Sequence, residues 1–256
     1  MEHLNVGKFS SVSYDPETNT VLKVFAEKIK ANDKLVTNEI RILHMLGRKC
    51  ELLNQGDLCV IVMPFYGRQE LFEYLMDPET KTINRHEIIR QMLLCLVPLH
   101  ERGIIHADVK FENFVVQSVN PLKLVIIDFG LSQVLPCPYE AMQKRTAWDY
   151  LLYRDPNKQC VYVSGTCGTR WYMSPEMMYE HTLYMDSDLW AIGILMFELW
   201  VSLADFKEIY KNYEYMLNVS KHKFPEDTFK LISRLVCPHK YRIKSAVRVL
   251  SMLPKE

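Results

Sequence analysis

"HADVKFEN", residues 106–113, lies between an apolar run that ends near Gly103 and the strand-like "KLVIID", residues 123–128. This one short loop carries an acid, a cation and an amide. Asp108 comes first, Lys110 follows two residues on, and Asn113 three beyond that. Read as an ordinary helix-to-strand connection, the spacing has no meaning. Read as a site, it sets a base, a cation and a metal ligand over one substrate. The rest of the chain has to decide between these readings.

The chain has 256 residues and is 48% hydrophobic, enough for one large domain or two small lobes around a real core. Lys plus Arg and Asp plus Glu both number 31, so the formal charge is zero. That balance argues against wrapping nucleic acid or lying on a membrane surface. The seven cysteines form no C-x-x-C and no zinc-like spacing with histidine. They read as reduced thiols in a reducing compartment, cytoplasmic or nuclear. Cys160 and Cys167 flank a loop and form the one pairing worth considering, with the reduced state favoured. The N-terminus lacks the pattern of a signal peptide. The longest apolar run, "LWAIGILMFELWV" at 189–201, is too short to span a bilayer and contains Glu198. It reads as a helix buried all round.

Patterning then sorts the chain. "FSSVSYD" and "TVLKVFAE" alternate as strands around a turn at Asn19. "NDKLVTNEIRILHML" has helical spacing, with Asn32 or Asp33 as its cap and Gly47 as its end. "DLCVIVMPFY" is a buried strand closed by Pro64. After Pro64 the texture is helical, in "QELFEYLM" and in "RHEIIRQMLLCLVPLHERG", with a kink expected at Pro98. The fold class is therefore α+β, with a small β-rich lobe carrying one helix over residues 1–63, a hinge at 64–67 and a larger α-rich lobe over 68–256. The cleft between such lobes is where ligands bind.

The opening loop has company in this frame. Lys23 lies in the strand "VLKVF" and Glu39 in the helix "NEIRIL". "DFG" follows at 128–130, "SPE" at 174–176, then "DSDLWAIG". In this order and spacing the chain resembles the eukaryotic protein kinases over nearly all its length. The set is a known template whose roles are recognised here, not discovered. The resemblance implies a bilobal protein-kinase-like fold forming a single domain, with a long activation segment at 128–176. It implies ATP and Mg²⁺ as cofactors. Lys23 would hold the α- and β-phosphates, with Glu39 keeping it in place. Asp108 would accept or orient the hydroxyl of the substrate, and Lys110 would offset charge on the γ-phosphoryl group. Asn113 and Asp128 would hold the metal. Thr169 matches a threonine that bonds the base and the loop lysine in serine/threonine kinases. Met63 would back the adenine pocket, with Pro64, Phe65 and Tyr66 as the hinge. Val12 and Val115 would sandwich the base, and Glu70 would reach the ribose or a basic substrate residue. His106 would be a core residue with Phe129 stacked on it. Asp188 would tie down the loop backbone, and Glu176 would pair with Arg242.

Some positions depart from the family. Its glycine-rich phosphate loop, G-x-G-x-[FY]-G-x-V, maps onto Leu4, Asn5, Val6, Gly7, Lys8, Phe9, Ser10, Ser11 and Val12, where only the middle glycine remains. Asn and Ser are residues that tolerate such backbone, so approach of phosphate near Gly7 stays open. The family's H-R-D reads H-A-D, with Ala107 replacing an arginine that meets an activation-loop phosphate. Activity is thus expected to depend less on such a phosphate. An insertion is read at roughly 134–163, and Ser164 and Thr166 beyond it are candidate phosphorylation sites. "GTRWYMSPE" is similar to the cyclin-dependent and MAP kinase group. "VIVMPFY", "VKFENFVV", "IIDFGLSQ" and the insertion are closer to the cell-division-cycle kinase that fires replication origins. The latter would imply a regulatory activator subunit and a role in the cell cycle. The leading expectation is a serine/threonine protein kinase acting on a protein substrate. The alternative is a pseudokinase scaffold working through protein contacts. A small-molecule kinase ranks last, because the S-P-E segment and its arginine partner are present.

Overall fold

The computed structural model describes residues 1–6, 9–55, 58–80, 84–135, 160–201 and 212–254. Gly7, Lys8, Cys137 and most of the insertion read at 134–163 lie outside them. Period-two patterning produces a five-stranded antiparallel sheet in the order β1-β2-β3-β5-β4. Its strands are β1 (Glu2–Val6), β2 (Ser10–Asp15), β3 (Thr20–Phe25), β4 (Glu51–Gln55) and β5 (Leu58–Pro64). Asn19 turns the β2–β3 hairpin with φ of 54°, a conformation asparagine tolerates. Two strands escaped the sequence reading. β1 was taken only as a phosphate loop, and "ELLNQ" in β4 is too polar and short to show a period.

Helix α1 (Lys34–Met45) packs on this sheet. Asp33 caps it by accepting from the Leu35 N–H at 2.8 Å, and Gly47 ends it at φ of 68°. Its buried face is Val36, Ile42 and Leu43, with Glu39 among them. A carboxyl so placed needs a cation.

The remainder is mainly helical. α2 (Leu71–Met76) is short. α3 (Arg85–His100) is capped by Asn84 and contains Pro98 within its last turn. The quoted loop then runs from β6 (Ile104–Ile105) to the hairpin of β7 (Phe114–Val119) and β8 (Leu122–Ile126). β9 (Gln133–Val134) returns to pair with β6. β10 (Cys160–Tyr162) pairs with β11 (Thr182–Tyr184), beyond α4 (Pro175–Glu180). Cys160 and Cys167 are both free thiols. α5 (Ser187–Trp200) is the apolar run, and residues 187–197 are all buried. At Gly193 an added Cβ would stand 2.7 Å from Val236 Cγ2 and 2.8 Å from Leu235 Cβ. The glycine thus lets a neighbouring helix approach closely. α6 (Tyr213–Ser220), α7 (Glu226–Leu235) and α8 (Ala246–Met252) complete the chain. The result is a bilobal α+β architecture. No helix among the described residues is long and apolar enough to cross a membrane.

Candidate active site

The loop at 106–113 is fixed from beneath. Asp188, at the start of α5, accepts from the His106 N–H at 2.8 Å and the Ala107 N–H at 2.9 Å. Ala107 is thereby held at φ of 66°, and a non-glycine residue there signals imposed conformation. His106 is fully buried. Its Nδ1 accepts from the Asp108 N–H at 3.3 Å and its Nε2 faces the Ile127 carbonyl at 3.0 Å, so Nε2 carries the hydrogen. Phe129 meets this ring edge-on, with centroids 5.5 Å apart, and not face to face.

These ties orient three functional side chains. The Asn113 amide donates to the Asp108 carbonyl at 2.7 Å and to Asp108 Oδ2 at 3.1 Å. Lys110 Nζ lies 3.2 Å from the same Oδ2 and donates to Thr169 Oγ1 at 3.1 Å. Asp108 Oδ1 accepts from the Thr169 backbone N–H at 2.7 Å. Thr169 therefore meets the base through its backbone and the lysine through its hydroxyl. Gly168 makes this possible, since a Cβ there would fall 2.3 Å from the Ala107 carbonyl oxygen and φ is 101°.

A second cluster accompanies the first. Lys23 of β3 binds Glu39 of α1 at 2.6 Å and Asp128 at 2.8 Å. Burial alone would lower the Lys23 pKa, but the two carboxylates outweigh it and raise it well above the ordinary value. Burial pushes the Glu39 carboxyl up against the pull of Lys23. The cleft also disfavours the Asp128 charge, yet Lys23 holds that carboxyl below its ordinary value. Asp128 has φ of 62°, a second imposed conformation.

Both clusters line one cleft of about 540 Å³, within the range of small-molecule sites. Leu4, Asn5, Phe9, Ser10 and Val12 form its roof, and Met63 and Val115 add apolar walls. Lys23, Glu39, Asp128, Asp108, Lys110, Asn113 and Thr169 all line it, and the Ile127 N–H, next to Asp128, donates to the Asn113 carbonyl at 2.9 Å. Ser11 is absent from the lining because strand alternation turns it to the opposite face of β2. Phe65 is absent too. Its ring lies on Tyr14, centroids 4.1 Å apart, and its N–H donates to the Asn19 carbonyl at 3.3 Å. Its neighbours Pro64 and Tyr66 do line the cleft. Glu70 lines the rim, where burial raises its pKa while Asn5 Nδ2, at 2.6 Å, pulls it down. The side chain of Val6 and all of Gly7 and Lys8 lie outside the described residues.

For a divalent cation the donors present are suitable. Asp128 offers an ionised carboxylate, and Asn113 spends its NH₂ group on Asp108, leaving its amide oxygen available. Both are hard oxygen ligands of the kind Mg²⁺ takes. The triphosphate would find Lys23 and the apolar roof would cover a base.

The sequence matches the protein kinase domain family over residues 2–251. The chain belongs to the protein kinase family. Relatives of this kinase domain include a Dictyostelium discoideum protein named a probable myosin light chain kinase. It is 27% identical over 251 residues, covering 91% of this chain and 72% of that protein. A probable serine/threonine-protein kinase 2 of Plasmodium falciparum is 26% identical over 206 residues, 75% of this chain and 36% of its own length. An Aurora kinase of Encephalitozoon cuniculi is 29% identical over 208 residues, 76% and 64% respectively. The chain thus spans between about a third and three quarters of these kinases. Membership implies a protein substrate, and protein kinases generally use ATP and Mg²⁺.

Sequence reasoning missed part of this site. Glu112 Oε2 is enclosed and without a hydrogen-bond partner among the described residues, at the edge of the cleft. Near it, Tyr172 donates to Glu198 at 3.1 Å. Burial pushes the Glu198 carboxyl up to about 7, the Tyr172 bond opposing and Glu112 adding to the shift. In the sequence Glu112, with Glu70, already hints at basic residues near the acceptor, whereas Tyr172 and Glu198 carry no such signal.

Proposed function

We propose that the chain is a serine/threonine protein kinase that transfers the γ-phosphate of Mg-ATP to a protein hydroxyl. The observation that carries this reading is the shared cleft. Asp108, Lys110, Asn113 and Thr169 share one nucleotide-sized space with Lys23, Glu39 and Asp128. The substrate oxygen forms the new P–O bond, the bond to the β–γ bridging oxygen breaks, ADP leaves, and the hydroxyl proton passes to Asp108. Lys110 offsets charge on the transferred group. Lys23, held by Glu39, positions the α- and β-phosphates. Asn113 and Asp128 hold Mg²⁺, which supplies charge neutralisation at the phosphate oxygens. Residues 64–67 act as the hinge, residues 128–176 as the activation segment, and the whole chain as one kinase domain. The Lys110–Thr169 contact supports Ser/Thr over Tyr as acceptor. Glu70, Glu112 and Glu198 support basic residues beside that acceptor.

A place in replication or cell-cycle control, with a regulatory subunit, is supported by the sequence of "VKFENFVV" and "IIDFGLSQ" and by the insertion. A cytoplasmic or nuclear location accords with the thiols. The scaffold reading draws on Ala107 and the sparse glycines, and the intact set of Lys23, Glu39, Asp108, Asn113 and Asp128 weighs against it. The test is transfer of labelled phosphate from Mg-ATP to a peptide library, by the chain alone and with cell extract. Transfer to Ser/Thr that is lost in Asp128→Asn is the expected result. A folded chain that transfers nothing under either condition would favour the scaffold.

A further inference from the structure

Two side chains outside the catalytic clusters, one on helix α1 and one just beyond its end, reach to the segment around Asp128. Asn38 is the neighbour of Glu39 in the sequence. Its Nδ2 lies 3.1 Å from the Phe129 carbonyl, 3.2 Å from that of Gly130 and 2.6 Å from that of Ser132. Arg48 follows the glycine that ends α1, and its own N–H bonds the Leu43 carbonyl at 2.9 Å. Its Nη1 donates to the Ile126 carbonyl at 2.6 Å. The guanidinium also lies over two rings, 5.2 Å from the centroid of Phe129 and 5.4 Å from that of Tyr66. The carbonyl on Arg48 precedes Asp128 and the carbonyls on Asn38 follow it. The segment is therefore gripped on both sides of the metal-ligand candidate, from α1 and from the turn that ends it.

We propose that Asn38 and Arg48 are positioning residues that fasten α1 to residues 126–132 and so hold Lys23 between Glu39 and Asp128. The proposal deepens the kinase reading and rests on it. Neither contact touches substrate, so both act through Lys23, Glu39 and Asp128. If α1 swung outward, the Asn38 tie would break as Glu39 left Lys23. The chemistry of each residue is specific. Three carbonyl oxygens demand a donor, and a carboxylate of the same shape would meet them with repulsion. The planar fork of arginine stacks on rings while it donates, which the ammonium of lysine does not do.

The test compares the full chain with Asn38→Asp, Asn38→Ala and Arg48→Lys, each checked for folding by circular dichroism. One readout is kcat and KM for ATP in peptide phosphorylation. The other needs no catalysis: the rate at which an N-hydroxysuccinimide acetate modifies Lys23 at about pH 9, read by mass spectrometry against the exposed Lys230. Held by its carboxylates Lys23 is 8% exposed, and released from them it should be uncovered to the reagent and react several-fold faster. Lys230 should not change. kcat should fall roughly tenfold to a hundredfold, since small misplacements at a reacting centre cost that much. Asn38→Asp should show the largest effect. Should Asn38→Asp fail to fold, Asn38→Ala and Arg48→Lys decide. Folded variants with an unchanged Lys23 rate would overturn the proposal, as would loss of folding in all three, which would make the residues structural only. A parent that transfers no phosphate would instead sink the kinase reading, while the Lys23 rates still judged the two ties.

Discussion

The loop at 106–113 and the hairpin of β1 and β2 cover opposite sides of the same cleft, and they are built differently. The loop is over-determined. Asp188 holds two of its N–H groups, His106 a third, and Asn113 its carbonyl at Asp108. Asp108 and Asn113 are 8% and 5% exposed. The hairpin, by contrast, shows Phe9 at 40% exposure, and its polar links to the other lobe include the exposed Asn5–Glu70 and Glu2–Arg68 contacts. The difference explains where the chain keeps to the family pattern and where it departs. Groups that make and break bonds must be held within a fraction of an ångström. A cover needs only to close, and side-chain contacts can replace glycines in doing so.

The sharpest way to break this comparison is to exchange one atom in the loop. Asp108→Asn keeps the shape but replaces an acceptor with a donor facing Asn113 and the Thr169 N–H. Loss of a positioned base should lower kcat by on the order of a thousandfold. KM for ATP should change little, because Lys23 and the roof are untouched. Steady-state kinetics on one peptide would show it. A fall below tenfold would mean that positioning by the other residues suffices, and the loop would be no more demanding than the hairpin.

The substrate side of the loop carries a cost that pH can reveal. Glu198 is held at about 7 in the fold, chiefly by burial, against 4.5 in the unfolded chain. Below pH 4.5 it is protonated in both states and has no effect. Between about 4.5 and 7 the folded protein binds the extra proton, so stability falls as pH rises through that window. Above it the cost is constant, at most about 3 kcal/mol from the size of the shift. Glu198→Gln keeps an acceptor for Tyr172 without the charge. Its melting temperature should exceed the parent's at pH 8 and match it near pH 4. Equal temperatures at both values would show that the carboxyl is relieved in solution.

The same contrast governs what the sequence made legible. The strand holding Lys23 and the Asp33 cap and Gly47 end of α1 follow from pattern and spacing, whereas the Glu176–Arg242 pair was legible only through the family resemblance. Each of the former is a local signal or a position fixed by its element. β1 and β4 were missed, because a polar five-residue strand carries too little periodicity. Asn38, Arg48 and the Tyr172–Glu198 pair were missed for another reason. Their partners lie far along the chain, as Ile126 lies 78 residues from Arg48. In sequence an asparagine or arginine on a helix face is merely solvated. Only the fold turns it toward a row of carbonyls. Register places Phe65 at the hinge, and only the fold shows that its ring lies on Tyr14.

The smallest effect bears most directly on the hairpin. Asn5 occupies the place of a family glycine, and its amide donates to Glu70 at 2.6 Å. Glu70 also joins the capping box of α2 with Glu73, so its carboxylate is already engaged before any ribose arrives. Asn5→Ala removes the donor without adding bulk. An exposed hydrogen bond to a charged group is worth about 0.5 to 1 kcal/mol. If the contact holds the roof down, KM for ATP should rise roughly two- to fivefold with kcat unchanged. Glu70→Gln should then lie between parent and Asn5→Ala, because it keeps an acceptor but loses the charge. A fall in KM would carry the opposite meaning. Asn5 would then compete with the nucleotide for Glu70, and the side chain standing in for glycine would act as a gate on the cleft.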